Sequence, residues 1–391
     1  MERLPEHHFP LQDLELERTD LYLSWKPKEN APFILIGARD PGGANALLPV
    51  LRSLLQSECQ VGVLTDSKAK EMLSTKLPDF FSYHNLDPLR QVASMRPDAV
   101  VVGLTSFQPG IEMTLTANAA IDGIPVVWVE DYPGCIFPHY RDIQTVPWLL
   151  PDVLCVANEW AKQRELDANP TFSPEKVIVT GLPNLDRIAH EDRIGTRVRV
   201  REELGISPNE TLIVYMGIPT EANLETLHAL VQALRHFPQV PIRLVNRRHP
   251  RDTIHQSFYK EILSPFGDQV IDTDTFSTDD IGLSADLVVT TYSTTGIESV
   301  YRQIPTLHIL IPEIIAKAES SNIEDPIVVQ DGASPCARTK GEIAPLLERF
   351  FFDPVLQTTL VSRMRHWTVD GMASKRIAEL ILQLTQIHRN A

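Results

Sequence analysis

Short apolar runs recur along the first half of the chain, and each is followed by a polar turn. These runs lie at residues 33–37, 60–65, 99–103, 125–130, 153–157 and 176–180. Uninterrupted apolar runs are typical of strands that are buried on both faces of a parallel sheet. Between them the apolar positions follow helical spacing, which predicts helices at residues 46–55, 68–76, 89–95 and 112–122.

A second alternating series begins at Thr211. Strands are predicted at residues 211–217, 242–246, 269–272 and 286–290, and helices at 221–237, 252–263 and 296–302. Residues 187–201, between the two series, are charged and polar, and we interpret them as a hinge followed by an entry helix. Residues 374–388 place apolar side chains at helical spacing, as a helix packed by one face would.

The double alternation of strands and helices predicts an α/β fold with two Rossmann-like parallel-sheet domains facing across a cleft. The predicted bounds are an N-terminal extension, residues 1–31, a first Rossmann-like domain, 32–186, a second Rossmann-like domain, 187–370, and a C-terminal helix, 371–391. In such sheets ligands bind beyond the carboxyl ends of the strands, so the turns that follow the strands are the candidate sites.

Composition narrows the class of protein. The formal net charge of −15 argues against affinity for nucleic acid or anionic membranes. The four cysteines show no CxxC spacing, which favours a reducing, cytoplasmic compartment and argues against a zinc site. No apolar run reaches the roughly 20 residues that a membrane span needs, and the acidic N-terminus lacks the apolar core of a secretion signal.

The richest stretch is TTYSTTGIESVYRQIPT, residues 290–306, in which a predicted strand runs into a hydroxyl-rich turn and then a helix. A helix N-terminus offers unpaired N–H groups and a positive dipole end to a phosphate. We therefore predict that Ser293, Thr294, Thr295 and Gly296 bind phosphate and that Glu298 accepts hydrogen bonds from a ribose. The alternative is a capped turn with no ligand, since Ser and Thr are ordinary helix caps.

Two other turns of the second series complete the predicted nucleotide site. Arg247, Arg248 and His249 follow a strand and would neutralise a leaving phosphate, because guanidinium groups match phosphate oxygens in pairs. Gly217 follows the first strand of the series and would let the backbone approach a pyrophosphate. The alternative for the arginine loop is a solvated surface.

The first series supplies the predicted acceptor site. Arg39, Asp40, Gly42, Gly43 and Asn45 lie in a turn, ARDPGGAN, that departs from the GxGxxG pattern of dinucleotide sites. The alternative is a turn that needs its glycines only for geometry.

A general base is predicted at the end of the strand PVVWVE. Glu130 or Asp131 would take the proton from an acceptor hydroxyl, with the pKa tuned by partial burial. The alternative is that either acid caps a helix or pairs with an arginine. The acids at residues 272–280 lack the EF-hand pattern and are interpreted as a solvated loop, so neither a metal nor a cofactor is predicted.

The order of these motifs resembles the GT-B glycosyltransferase superfamily, and within it the branch of the non-hydrolysing UDP-N-acetylglucosamine 2-epimerases. Those enzymes carry HVEAG, VTGNP, a histidine-proline pair and SGGIQEE; the matching segments here are WVEDYPG (128–134), VTGLP (179–183), HP (249–250) and STTGIES (293–299). The C-terminal DGMASKRIAELI also resembles that group's closing helix. The resemblance covers roughly residues 33–388 and implies two Rossmann-like domains with the nucleotide in the second.

Departures from the epimerase pattern bear on the predicted reaction. No acid occurs at residues 103–105, where the family has Gly-Asp, and Trp128 replaces the family's histidine. Thr294 and Thr295 replace paired glycines, and Glu298 is the one acid where the family has two.

The resemblance, so modified, implies a metal-independent transfer of a sugar or sugar-like group from a UDP or CMP/CDP-type donor to an acceptor hydroxyl. An epimerase or hydrolase, and a non-catalytic nucleotide- or glycan-binding protein of this fold, stay open as alternatives. A homodimer is compatible with this interpretation.

Overall fold

The computed structural model describes residues 19–24, 31–65, 69, 72–73, 80–86, 95–104, 110–139, 149–271, 275–316 and 325–390. Two compact units emerge, one comprising Met1–Ala189 with Val369–Ala391 and the other His190–Thr368. Most of the predicted extension and nearly all of the predicted helices at 68–76 and 89–95 lie outside the described residues.

The first unit is built on one sheet. Its strands are β1 (Thr19–Ser24), β2 (Phe33–Ala38), β3 (Gln60–Thr65), β4 (Phe80–Leu86), β5 (Ala99–Leu104), β6 (Val126–Glu130), β7 (Val153–Val156) and β8 (Val177–Val179). They lie in the order β4-β1-β3-β2-β5-β6-β7-β8. From β3 to β8 the neighbours are parallel, and β1 pairs antiparallel with both β3 and β4.

Helices cover both faces of this sheet. In the described part of the chain they are α1 (Pro41–Gln56), α2 (Ile111–Ile121), the single turn α3 (Ile136–His139) and α4 (Glu159–Ala168). Neighbouring residues of β2 point to opposite cores: Ile34 and Ile36 pack with α1, and Leu35 packs on the side of Leu115 in α2. This two-sided burial explains why the strand runs are apolar without alternation.

Helix α1 begins earlier than its periodicity predicts. Sequence analysis placed residues 37–45 in a turn, and this was wrong for the second half of that segment. Asp40 caps the helix by accepting a hydrogen bond from the Gly43 N–H at 2.9 Å, and Pro41 occupies the first helical position, as its fixed φ allows. Gly43 stays glycine because an added Cβ would lie 2.5 Å from the carbonyl oxygen of Gly103.

The second unit has a fully parallel sheet. Its strands are β9 (Thr211–Met216), β10 (Ile242–Arg247), β11 (Val270–Ile271), β12 (Leu287–Thr290), β13 (Thr306–Ile309) and β14 (Cys336–Ala337), in the order β11-β10-β9-β12-β13-β14. Its described helices are α5 (Arg193–Glu203), α6 (Ala222–Leu234), α7 (Gln256–Leu263), α8 (Thr278–Ser284), α9 (Thr294–Tyr301), α10 (Pro312–Ile315), α11 (Ile327–Gln330), α12 (Lys340–Phe352) and α13 (Pro354–Met364).

The last helix, α14 (Ala373–Asn390), belongs to the first unit. Ile377, Ala378 and Ile381 are buried in the core that α1 also covers. Asp186 caps α14 by accepting hydrogen bonds from the N–H groups of Ala373 (2.9 Å) and Ser374 (2.8 Å). The segment VTGLPNLD therefore serves to anchor this helix.

Candidate functional site

The strand order of each sheet shows where a ligand can bind. The order of the strands reverses its direction between β2 and β5 in the first unit and between β9 and β12 in the second. Each of these two places is a topological switch point. Ligands of open parallel sheets bind at such switch points, beyond the carboxyl ends of the strands. The predicted site residues either end or follow β2, β6, β9, β10 or β12, so the sequence motifs and the topology indicate the same two edges.

The hydroxyl-rich turn of the second unit is the N-terminus of α9. Ser293 caps the helix: its Oγ accepts from the Thr295 N–H at 3.3 Å and lies 2.8 Å from the Thr295 hydroxyl. The Gly296 N–H donates to the Ser293 carbonyl at 3.0 Å. Thr294 is exposed at the end of the helix. The first turn of α9 thus combines hydroxyl groups with the positive end of a helix, two features that favour a bound anion.

Gly296 has a packing role. A Cβ there would lie 2.7 Å from Cγ2 of Thr290 and 2.9 Å from Nε2 of His308, so glycine lets α9 approach β12 and β13. Burial lowers the pKa of His308 to about 3, and the imidazole is neutral. Its Nδ1 lies 2.7 Å from the Ser334 hydroxyl, which donates to the Thr306 carbonyl; Nδ1 therefore carries the proton.

The loop after β10 presents an imidazole donor. His249 is half-buried, and its Nδ1 accepts from the Arg251 N–H at 3.0 Å. Partial burial and then the nearby Arg251 lower the pKa of His249. A neutral ring whose Nδ1 accepts carries its proton on Nε2, which is the atom that a phosphate oxygen needs. The Arg247 Nε lies 3.4 Å from the Thr278 hydroxyl at the start of α8.

Arg248 is tied into a polar network. Its Nε donates to Asp252 at 3.0 Å, its guanidinium lies 4.8 Å from the centre of the Tyr259 ring, and a terminal nitrogen donates to the Ile254 carbonyl at 2.6 Å. The Tyr259 hydroxyl donates to Asp252 at 2.6 Å and accepts from Asn223 at 2.7 Å. This network fixes the loop, so we assign Arg248 a supporting position.

Asn223 links the same network to the glycine turn. Its Oδ1 accepts from the Ile218 N–H at 3.1 Å, and an added Cβ on Gly217 would lie 3.0 Å from the Asn223 amide. Hydrogen bonds through Asn223 therefore connect the turn after β9 to the loop after β10.

Glu298 lies beside a buried cation. Arg302 is nearly inaccessible and binds three carboxylates: Glu191 at 2.6 Å, Asp279 at 2.8 Å and Glu298 at 3.3 Å. Asp279, predicted to lie in a solvated loop, is instead in α8 and in this cluster. Three acids on one guanidinium leave an excess of negative charge, and Glu298 has the longest of the three contacts.

Several buried polar atoms at this edge have no hydrogen-bond partner among the residues that the structure describes. They are Oδ1 of Asn246, Oγ1 of Thr291 and Nε2 of His308. Asn246 is in β10, Thr291 directly follows β12, and His308 is in β13. Buried polar groups in folded proteins nearly always have a partner, so each of these atoms is a candidate contact for a bound water or a ligand.

The carboxyl edge of the first sheet carries several acidic side chains, among them Glu112 and Asp131. Glu112, in the first turn of α2, accepts from the Arg39 N–H at 3.0 Å and is 1% exposed. Burial raises the pKa of Glu112 to about 7. An added Cβ on Gly42 would lie 2.4 Å from Oδ2 of Asp131. Asn45 is exposed one turn into α1.

Asp131 has the properties of a tuned base. Burial, with repulsion from Asp40 and Glu112, raises the pKa of Asp131 to about 8. Its Oδ1 is buried and has no hydrogen-bond partner in the described part of the chain. A carboxylate in this state takes a proton readily, because desolvation and like charges both destabilise its ionised form.

Glu130, by contrast, is committed to the backbone. Its side chain is fully buried, one carboxyl oxygen accepts from the Gly134 N–H at 2.8 Å, and the other accepts from the Ala157 N–H. Glu165 acts in the same way on the next turn, accepting from Ile136 at 2.7 Å and Phe137 at 2.6 Å. The two buried acids hold the segment that begins with Asp131.

Three further features concern the cysteines, the potential metal ligands and the apolar character of the helices. All four cysteines are free thiols. In the described ranges, no three His, Cys, Asp or Glu side chains are grouped so that they could hold a metal ion. None of the helices in those ranges combines the length and the apolar character that a membrane crossing demands.

Comparisons with known proteins give structural neighbours only. No family model and no curated protein matches the sequence. The UDP-GlcNAc 2-epimerase of Neisseria meningitidis, solved with UDP-GlcNAc, is similar with a TM-score of 0.63 at 15% identity, over 90% of this chain and 100% of that chain. MurG of Acinetobacter baumannii gives a TM-score of 0.59 at 16% identity, over 90% and 99%. The glycosyltransferase of kitacinnamycin gives 0.57 at 13% identity, over 92% and 100%.

These likenesses show the fold. The chain has the GT-B fold that the three neighbours share, which confirms both the predicted fold class and the resemblance that the motifs indicated. Sequence reasoning missed Glu112, Glu165 and Arg302. Only Glu112 carried a usable signal, an acid at the start of a predicted helix that follows a buried strand at the ligand edge.

Proposed function

We propose that this protein is a glycosyltransferase that moves a sugar or sugar-like group from a nucleotide-activated donor to an acceptor hydroxyl, without a metal ion. The observation that carries the proposal is the division of chemistry between the two switch points. An anion-binding helix end and an imidazole donor lie at one edge, and a carboxyl group of raised pKa lies at the other. The proposed donor is of the UDP or CMP/CDP type.

The proposed step follows from these groups. Asp131, as carboxylate, accepts the proton of the acceptor hydroxyl, and the hydroxyl oxygen forms a bond to the anomeric carbon. The bond between that carbon and the nucleotide phosphate oxygen breaks, and its electron pair leaves with the phosphate. The N-terminus of α9, Arg247 and the Nε2–H of His249 stabilise the charge that develops on the leaving phosphate. Glu298 accepts hydrogen bonds from the ribose.

The geometry favours transfer over epimerisation in one respect. The family glutamate that Glu130 matches has both oxygens occupied by backbone N–H groups here. A proton on this carboxyl would break one of those bonds. We therefore assign Glu130 to positioning the neighbouring Asp131.

Nucleotide binding is tested by thermal stabilisation with UDP, CMP, CDP, GDP and TDP. At least one is expected to raise the melting temperature, and His249→Ala and Ser293→Ala are each expected to weaken its binding about tenfold, the loss of one charge-assisted hydrogen bond. The control is His228→Ala, an exposed histidine on α6. If none of the five ligands stabilises the parent, the proposal fails.

Turnover separates the remaining possibilities. The parent is incubated with UDP-N-acetylhexosamines and CMP- or CDP-activated donors, with and without a panel of sugar and polyol acceptors. Release of nucleotide that depends on an acceptor supports transfer. Conversion of the donor with no acceptor present indicates an epimerase or hydrolase, and binding without any conversion indicates a non-catalytic protein.

A further inference from the structure

Two carboxyl oxygens at the switch point of the first unit lie buried with no hydrogen-bond partner in the described part of the chain: Oε2 of Glu112 and Oδ1 of Asp131. We propose that these two carboxyl groups bind an acceptor that presents several hydroxyl groups and no negative charge at this end. The inference rests on the proposed function, since it names the acceptor class of that reaction, and it adds Glu112 as a binding residue.

Glu112 is held so that one oxygen is left for a ligand. Its Oε1 accepts from the Arg39 N–H at 3.0 Å, and 1% of the residue is exposed. A buried carboxyl oxygen without a partner destabilises the protein, because water no longer solvates it. A hydroxyl or ammonium donor from a ligand removes this penalty, so the orphaned oxygen is complementary to a donor.

Glycines let both carboxyl groups pack closely against the backbone at this edge. An added Cβ on Gly110 would lie 3.3 Å from Oε2 of Glu112 and 2.5 Å from Cδ of Arg39. An added Cβ on Gly42 would lie 2.4 Å from Oδ2 of Asp131. The helix that carries Glu112 follows β5 and Asp131 follows β6, so both acids are at the carboxyl edge where a parallel sheet binds its ligand.

The charge at this edge restricts the ligand further. An added Cβ on Gly42 would lie 2.4 Å from Oδ2 of Asp131 and 3.4 Å from Oδ1 of Asp40, so these two carboxyl groups are close neighbours. Asp40 and Glu112 both contribute to the raised pKa of Asp131. A carboxylate or phosphate on the acceptor would add a like charge to this cluster and be repelled. One hydroxyl donating to Asp131 and a second hydroxyl or ammonium donating to Glu112 would satisfy both orphaned oxygens.

Saturation-transfer NMR tests the inference with three small probes: glycerol, 2-amino-1,3-propanediol and glycerate. Spectra are recorded with and without the nucleotide that stabilises the protein. Glycerol and the amino-diol are expected to show transfer, and glycerate is expected to show none. Competition by the amino-diol against glycerol places both probes in one site.

The variant Glu112→Gln isolates the orphaned oxygen. Its amide oxygen keeps the Arg39 bond, so its NH2 group takes the place of Oε2 and faces the ligand as a donor. The transfer signal is expected to fall about tenfold, as loss of a hydrogen bond to a charged group predicts. The control Asp122→Asn removes the same charge at the exposed end of the same helix and should keep the parental signal.

Other results overturn the inference. Absence of transfer to glycerol and the amino-diol, transfer to glycerate of equal strength, or an unchanged signal in Glu112→Gln would each do so. If that variant misfolds, Glu112→Asp, which withdraws the carboxyl by one methylene and keeps its charge, must lose the signal instead. Nucleotide stabilisation is read separately, so failure of this inference can be distinguished from failure of the proposed function.

Discussion

The carboxyl edges of the two sheets have the same topology and opposite chemistry. At the first, burial and then the nearby Asp40 raise the pKa of Asp131 and Glu112, and Gly42 and Gly110 let these carboxyl groups pack close to the backbone. At the second, a helix end, a neutral imidazole and Arg247 present donors and positive charge. The comparison shows that a switch point determines where a ligand binds, whereas the side chains after each strand determine which ligand.

The largest expected effect is on the acidic edge. Asp131→Asn should lower the transfer rate by about 10²–10⁴-fold, the usual contribution of a general base. Nucleotide stabilisation should stay at the parental value, because the substituted group belongs to the acceptor edge. Nucleotide release at saturating donor and acceptor measures the rate. If Asp131→Asn keeps most of the parental transfer rate, Asp131 is not the general base, and the proposed difference in function between the two edges is wrong.

The next effect separates the structural acids from the functional one. Glu165→Ala leaves the Ile136 and Phe137 N–H groups without acceptors, and should lower the free energy of unfolding by about 2–5 kcal/mol. Glu159→Ala, an exposed position on the same helix, should change it by less than about 0.5 kcal/mol. Urea denaturation measures both. Equal effects of the two substitutions would show that the buried acid does not hold its loop.

A smaller effect appears in the pH dependence of stability. The pKa of Asp131 is raised from 3.8 to about 8 in the folded protein, so the folded state binds this proton more tightly than the unfolded state. Stability from this group is therefore lost as pH rises from about 4 to about 8. Relative to the parent, Asp131→Asn should gain about 1–3 kcal/mol between pH 5 and pH 9, a value reduced for partial solvent access. If the free energy of unfolding depends on pH equally in the parent and in Asp131→Asn, the pKa of Asp131 is not raised in the folded protein.

The smallest expected effect is on salt dependence. Raising the salt from 0.05 M to 0.5 M should weaken nucleotide binding about threefold, because counter-ions screen the partly exposed positive groups of the second edge. Glycerol binding at the first edge should change little, since glycerol is uncharged. Calorimetric titration measures the nucleotide affinity, and the saturation-transfer NMR signal measures glycerol binding. If salt leaves the nucleotide affinity unchanged, the nucleotide is recognised by shape and not by charge, and the prediction is wrong.

Much of this arrangement could be predicted from sequence because the decisive information was local. Apolar runs such as FILIG identify buried strands, and the residues directly after them fall at the ligand edge. The contrast between Glu130 and Asp131 could not be predicted. Adjacent residues point to opposite sides of a strand end, and only the fold shows that Glu130 meets the Ala157 N–H, 27 positions away.

Other elements were missed for related reasons. Strand β1 carries the mixed sequence TDLYLS, and its antiparallel pairing to β3 and β4 is a long-range choice that composition does not encode. Arg302 ends a short predicted helix, and the sequence around it gives no sign that it is buried. Its burial against Glu191, 111 positions away, depends on tertiary packing.

The capping of α14 by Asp186 has a consequence for biosynthesis. The first unit takes its last helix from residues made after the whole second unit, whereas the second unit, His190–Thr368, is one continuous segment. Domains tend to fold as their chain emerges from the ribosome. We therefore expect the second unit to complete its folding before the first, although the first is translated earlier. Pulse proteolysis of a chain that ends at residue 368 and has been released from the ribosome would check this: the second unit should resist digestion while the first is still cut.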